Sequence, residues 1–390
     1  MKWGLAVLAF AIRLAAISLS DHAEFGDARD YLDTATALCK TGAYPDQGNL
    51  PFFRAPGLPF FIALSTACDP QRVGLVKIAL ALVDSATVAL IVLISGSLWA
   101  GLAAALYPLF IVSTTDVRSE PLFMFLLVLA LYGLQRRKPA LCGASLALAA
   151  LTRPVALIFV PLFAVRRPRT FLLAFALVLA PWTIRNYVRY GEFILVNNAG
   201  GYSLWRGTHP EMARIYSIRD REEYRRATIE FEQRYADRPM QALTPRARSA
   251  EWRDAALANI RAHPRVELLF TLKKAWIYWR PWLNPQEYSF KIVLATGIVT
   301  TALYVLASFG FARMERRVVL WVAAFFIVGW IAHLPHQVVT RFRYPLTDPL
   351  LIMAASLAIP PRIARFRTST RPQQDQTAPA EILKTAPSVP

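Results

Sequence analysis

The run GLVKIALALVDSATVALIVLIS, residues 74–95, decides the fold class. As an α-helix it rises about 33 Å, enough to cross the ~30 Å hydrocarbon core of a bilayer. Its charges, Lys77 and Asp84, stand seven residues apart and share a face, which reads as a buried or cavity-facing pair rather than as catalytic groups. Further apolar runs cover residues 2–19, 98–113, 120–135, 140–152, 154–165, 170–184, 292–311, 318–333 and 346–360. With 74–95 they make about ten spans, the shortest of which are candidates for half-helices. The chain of 390 residues is 55% hydrophobic and 18% charged, with a mean hydropathy of +0.35. That is too apolar for an ordinary soluble domain. The expected class is an all-α polytopic membrane protein.

Three other readings are set aside on composition. A secretory signal at residues 2–19, with Lys2 as its basic flank, competes with a first span, but no clean small-residue cleavage site follows. The net charge of +18 would suggest nucleic acid in a soluble protein. Here basic loops orient the chain and a basic tail meets anionic lipid, so no nucleic-acid partner is expected. Cys39, Cys68 and Cys142 show no metal spacing. Cys142 lies in an apolar run and reads as packing, while Cys39 and Cys68 are able to pair outside the cytoplasm.

Basic clusters set the topology. RRK (136–138), RRPR (166–169), RMERR (313–317) and RIARFRTSTR (362–371) all fall on one side when the spans alternate from a cytoplasmic N-terminus. The opposite side receives residues 20–73, the turn 114–119, the insertion 185–291 and the turn 334–345. Residues 58–68 are too short to span and read as an interfacial or re-entrant helix. In the insertion, EEYRRATIEFEQRYADRP and RSAEWRDAALANIRAHP have helical periodicity, and LLFTLKKAWIYWRPWL has the content of a membrane-interface belt. The expected organisation is therefore a membrane module over 1–184, the outer insertion 185–291, C-terminal spans over 292–360, and a cytoplasmic, disordered tail over 361–390.

Chemistry-bearing residues gather on the outer side. EFGDARDYLD (24–33) places Asp27 and Asp30 where the chain leaves the first span. Acids held beside lipid are costly and mark function, although the start of a helix also attracts a carboxylate. FFRAPGLPF (52–60) carries Arg54, a side chain suited to bidentate phosphate recognition. TTDVRSEPLF (114–123) offers Asp116, Arg118 and Glu120, with Pro121 opening the next helix. LTRPVAL (151–157) puts Arg153 in a tight outer turn. PWTIRNYVRYGEF (181–193) supplies Arg185 and Asn186, and VTRFRYPLTDP (339–349) supplies Arg341 and Arg343. Arginines at Arg54, Arg153, Arg185 and Arg341/Arg343 on an outer face run against the positive-inside tendency and together point to an anionic ligand. His333 and His336 flank an outer Leu-Pro turn without a third ligand, so no metal is expected.

The order DARDY, FRAPGLPF, SEPLF, LTRP, PWTIRNYVRYGEFILVNNAGGYSLWRGTHP and RFRYPLTDP resembles the polytopic glycosyltransferases of the GT-C fold. More narrowly it resembles bacterial members of the dolichyl-phosphate-mannose protein mannosyltransferase-like group, glycosyltransferase family 39, with the aminoarabinose transferases as relatives. The resemblance runs to about residue 360. It implies a GT-C bundle in the bacterial inner membrane with its active site facing the periplasm. It also implies transfer of a sugar from a polyprenyl-phosphate carrier to a lipid, glycan or protein acceptor, without a cofactor. By the same resemblance, Asp27 matches the first-loop catalytic acid, followed by Tyr31. Arg54 before Pro56 matches the basic residue that contacts carrier phosphate, and Glu120 matches the second-loop acid. The chain departs from the pattern in having Asp27-Ala28 where two acids are usual, with Asp30 nearby. It also has Glu for the second-loop Asp, and it lacks a large C-terminal soluble domain.

These readings combine into an expected scheme. Arg54, helped by Arg153, Arg185, Arg341 or Arg343, holds the carrier phosphate. Asp27 serves as base, or stabilises the developing positive sugar, in a single inverting displacement, with Glu120 orienting the acceptor or Asp27's neighbours and Asp30 in support. The competing classes are a lipid-linked-sugar transporter or flippase, a non-catalytic partner in envelope assembly that docks through 185–291, and an envelope glycan polymerase or ligase.

Overall fold

The apolar runs of the sequence are helices, and their ends fall where proline, glycine or charge interrupts the run. The computed structural model describes residues 2–20, 27–45, 54–165, 167–236 and 243–359. The predicted tail 361–390, with its RIARFRTSTR cluster, and Arg166 of the RRPR cluster lie outside the described residues. Among those described, every regular element is helical.

The first membrane part comprises α1 (Lys2–Ser18), α2 (Asp27–Thr41), α3 (Gly57–Ser65), α4 (Val73–Ser95), α5 (Leu98–Leu106), α6 (Pro108–Ser113), α7 (Glu120–Gln135) and α8 (Pro139–Thr152). A 3-10 turn Pro154–Phe159 leads into α9 (Val160–Phe163), and α10 (Pro168–Tyr190) follows. The insertion holds α11 (Gly200–Thr208), α12 (Pro210–Ile215), α13 (Arg221–Ala236), α14 (Pro245–Ala262) and α15 (Pro264–Trp279). The last part holds α16 (Phe290–Phe311), α17 (Arg316–His333), a 3-10 turn Thr340–Phe342 and α18 (Tyr344–Ser356).

By length and composition α4, α10, α16 and α17 can each cross a membrane alone, and the other apolar helices are shorter. Two expected spans are broken. Residues 98–113 form α5 and α6 because Pro108 cannot continue a helix from Tyr107, which adopts extended backbone. Residues 154–165 form a 3-10 turn and a single α turn. α10 runs past the expected end at 184 and tolerates Pro181.

The membrane helices pack in the order α1–α4–α7–α8–α10, with α16 against α18. Small residues permit close approach, the usual device where lipid provides no hydrophobic driving force. A β-carbon at Gly143 of α8 would stand 2.2 Å from the Phe171 carbonyl oxygen of α10, and one at Gly310 of α16 would stand 1.8 Å from that of Ala354 in α18. Asp84 does not pair with Lys77 as the spacing suggested. Its carboxylate accepts from Arg13 Nε of α1, and Arg13 also donates to the carbonyls of Ala105 (2.8 Å) and Ala9 (3.1 Å). Both side chains are wholly buried, so each charge stays in the bilayer zone only because the other is there.

The insertion builds its own aromatic core from Tyr202, Trp205, Phe231 and Trp252. The two helical periods seen in sequence become α13 and α14. α11, in GGYSLWRGT, and α12, in PEMARI, were not expected. α15 exposes Leu268, Leu269, Leu272 and Trp276 along one side, as an interfacial helix does. Cys39 of α2 and Cys68, just past α3, form a disulfide, while Cys142 is free and buried.

Candidate active site

α2 opens on Asp27, with Asp30 one turn later. A spacing of three puts both carboxylates on one face. Arg54, which precedes α3, answers both: its Nη2 donates to Asp27 Oδ1 at 2.7 Å and to Asp30 Oδ2 at 2.6 Å. The Arg54 guanidinium lies 4.9 Å from the Tyr31 ring centre, a cation–π contact that fixes its plane. Arg341, in the 3-10 turn before α18, donates through Nη2 to Asp27 Oδ2 at 2.5 Å. Each oxygen of Asp27 therefore accepts from a different guanidinium.

Arg341 also reaches the second acid. Its Nε stands 3.9 Å from Glu120 Oε1, and Arg153 Nη1 stands 3.2 Å from the same oxygen. Glu120 opens α7, and Pro121 holds the next position in helical φ. Arg153 caps the end of α8 and rests on the Phe342 ring at 4.8 Å. Segments more than 300 residues apart in sequence thus meet in one chain of contacts, Asp30–Arg54–Asp27–Arg341–Glu120–Arg153. All these helix ends are ones that the charge alternation assigns to a single side.

Burial by itself would push the Asp27 carboxyl up. Arg54 and Arg341 outweigh it and hold the group well below the usual carboxylate range. Burial opposes the charge on the two arginines as well, and Asp27 reverses this, raising both. Exposure separates the acids. The Asp27 side chain is 37% exposed and that of Glu120 is 3% exposed, so only the first can meet a molecule from solution.

Two expected residues are not in this network. Arg185 donates to the Tyr44 carbonyl at 3.0 Å and stacks against Trp182. Arg343 is wholly buried, bound to Asp348 at 3.1 Å and to Tyr304, which makes it a brace at the head of α18. Asp116 is turned aside to Arg118 at 3.0 Å and to the Val117 amide. Other participants escaped the sequence reading. Tyr288, ahead of α16, accepts from Arg118 Nη1 at 2.7 Å. Arg206 of α11 binds Glu232 at 2.6 Å and feels the charge of Asp27. Arg206 sits in GGYSLWRG, within the long motif that opens at PWTIRNY.

An apolar cavity of about 1210 Å³ abuts the network. Pro56 and Gly57 follow Arg54, Leu122 and Leu126 follow Glu120, and Thr152 precedes Arg153; all of them line it. Tyr44, which also lines the cavity, donates its hydroxyl to the Arg54 carbonyl at 2.8 Å. Along the flank the exposed Leu64, Ile184 and Val188 continue the apolar wall to the outside of the bundle. The volume exceeds the ~300–1,000 Å³ of ordinary small-molecule sites.

No family model matches the chain, and no curated protein matches it. Two solved structures of ArnT from Cupriavidus metallidurans superpose on it, one bound to undecaprenyl phosphate (TM-score 0.40) and one in the apo state (TM-score 0.42). Each is 14% identical, covering 91% of this chain and 76% of the other. Superposition at this level fixes neither a shared fold nor an activity for this chain.

Proposed function

We propose that this chain is an integral-membrane glycosyltransferase of the GT-C type. It moves a sugar from a polyprenyl-phosphate carrier to an acceptor hydroxyl on the non-cytoplasmic side. The observation that carries the reading is the meeting of Asp27, Arg54, Glu120, Arg153 and Arg341 in one chain of contacts, with sequence neighbours of Arg54, Glu120 and Arg153 lining an apolar cavity. An amphiphile with an anionic head and a hydrocarbon tail suits such a site, and the resemblance carried by the motif order implies the same ligand class.

In this reading the polyprenyl tail lies in the cavity and the phosphate meets Arg54 and Arg341. The bond from the sugar's anomeric carbon to the phosphate oxygen breaks, and its electron pair leaves with the carrier phosphate. The guanidiniums stabilise that charge as it forms. The acceptor oxygen attacks from the opposite face, inverting the anomeric centre, and its proton passes to Asp27. Glu120, sealed from solvent, acts as a positioning residue that holds Arg341 and Arg153. The insertion 185–291 covers the site from the aqueous side. Arg185, on the cavity wall, contacts the carrier near its head, and Arg343 supports the fold instead of the ligand.

The test is release of sugar from a polyprenyl-phosphate-sugar pool by the purified chain, compared with Asp27→Asn. Loss of a general base lowers turnover by ~10²–10⁴-fold. Equal transfer by the two proteins would remove Asp27 from the chemistry. Binding of the carrier without transfer by either would favour the transporter reading.

A further inference from the structure

The proposed base is not free to act in the structure described here. Both its oxygens accept from guanidiniums, and Arg54 is shared with Asp30. A phosphate offers arginine the same paired oxygen acceptors that a carboxylate does. Asp27 and Asp30 therefore occupy the positions that a ligand's phosphate oxygens would take.

We propose that the donor's phosphate displaces Asp27 and Asp30 from Arg54 and Arg341, and that this exchange frees the Asp27 carboxylate to take the acceptor's proton. The proposal rests on the donor reading given above. Three observations support it. First, the carboxylates that must leave can be rehydrated, since their side chains are 37% and 49% exposed, whereas Glu120 is shut in at 3% and stays with Arg153. Second, each arginine has a further contact able to hold it when the carboxylates go: Arg54 its stack on Tyr31, Arg341 its contact with Glu120. Third, the exchange swaps charge-assisted bonds for others of the same kind, so the burial of the tail in the adjoining cavity decides its direction.

The arrangement has a chemical use. With the site empty, Asp27 is held ionised and doubly bonded, a poor base towards water or a stray hydroxyl. Its basicity rises only once the phosphate has taken the arginines, when the sugar to be transferred is in place. Donor binding and base activation are then one event.

The experiment is binding of a polyprenyl phosphate, and of the uncharged polyprenol of the same length, to the purified full chain in neutral-lipid nanodiscs. At high salt, where simple repulsion between carboxylate and phosphate is screened, a base with no other role would leave phosphate affinity unchanged on substitution. Exchange requires the reverse: Asp27→Asn binds the phosphate lipid ~10-fold more tightly than wild type, the gain of about one charge-assisted contact, with polyprenol binding unaltered. Asp30→Asn tightens it by roughly threefold, since only one bond of Arg54 is released. It decides the matter if Asp27→Asn does not fold. Phosphate affinity that is equal or weaker in the folded variants overturns the exchange alone. A wild type that binds phosphate no better than polyprenol overturns the donor reading as well.

Discussion

Gly57→Ala tests whether helix packing sets the spacing of the candidate site. Gly57 begins α3, three residues after Arg54, and lies against the last residues of α8, beside Arg153. A β-carbon there would stand 2.5 Å from Thr152 Oγ1, 2.8 Å from Thr152 Cα and 2.9 Å from the Leu151 carbonyl oxygen. Ordinary contact begins at 3.4 Å, so against the Thr152 Cα the shortfall is about 0.6 Å. Two of the three neighbours are backbone and cannot rotate away. The start of α3 must therefore move off α8 by about that distance, carrying Arg54 away from Arg153 and Glu120. Overpacking of this kind costs roughly 1–3 kcal/mol of stability. A misplacement of 1 Å in a catalytic constellation costs ~10²-fold in rate, so a shift near half that size lowers turnover by about tenfold. The assay is sugar release at saturating donor, alongside thermal unfolding in detergent. Adding Thr152→Ala removes the hydroxyl clash alone and restores little. Gly74→Ala is the control: nothing lies within 4 Å of its β-carbon, and turnover stays at the wild-type level. Full turnover and unchanged unfolding in Gly57→Ala would show that the α3–α8 contact does not govern the site.

Two stability predictions follow from partners fixed elsewhere. Asp84→Leu strands the buried Arg13 cation and lowers stability by ~3–5 kcal/mol, whereas Arg13→Leu with Asp84→Leu lies within about 1 kcal/mol of wild type or above it. Thermal unfolding that ranks the single and double variants equally would dismiss the pair as a mutual support. The Cys39–Cys68 disulfide closes a loop of separation 29, so Cys39→Ser costs ~3–4 kcal/mol in the chain-entropy account. Reduction of the purified chain should lower the unfolding temperature to match, and no shift on reduction would contradict this.

Much of the bundle was legible because length and hydropathy are local properties. The break inside 98–113 was readable from Pro108, whose ring removes a helix hydrogen bond. The partner of Asp84 was not readable. Lys77 was the cation on its own helix, but Arg13 lies 71 residues away, and no spacing rule reaches that far. In the candidate site, Arg54, Arg153 and Arg341 stood out as cations on a face that usually avoids them. Arg185 and Arg343 carry the same signature, yet Arg185 binds the Tyr44 carbonyl on the cavity wall and Arg343 binds Asp348, outside the Asp27 network. In RYPLTD the acid five residues after Arg343 is its partner, so that brace was open to a closer reading. α11 was hidden by its glycines. Gly201 and Gly207 weaken any helical signal, and they are there because the Ser249 and Pro335 carbonyl oxygens would stand 2.0 and 2.4 Å from a β-carbon. That helix is made by its neighbours.

The network around Asp27 is electrically balanced. Arg54, Arg153 and Arg341 face Asp27, Asp30 and Glu120, so the charges of the two signs cancel within that chain of contacts. The chain's net charge of +18 therefore resides outside this set of contacts. A balanced cluster projects little field beyond about a Debye length, ~8 Å at physiological salt, so it draws no anion from a distance. Capture of an amphiphilic ligand then falls to the apolar wall, entered sideways from the lipid, and the arginines act only on what the wall has already caught. On the proposed reading, such a site selects first for a hydrocarbon chain and second for a phosphate, and so disfavours soluble sugar phosphates and nucleotides.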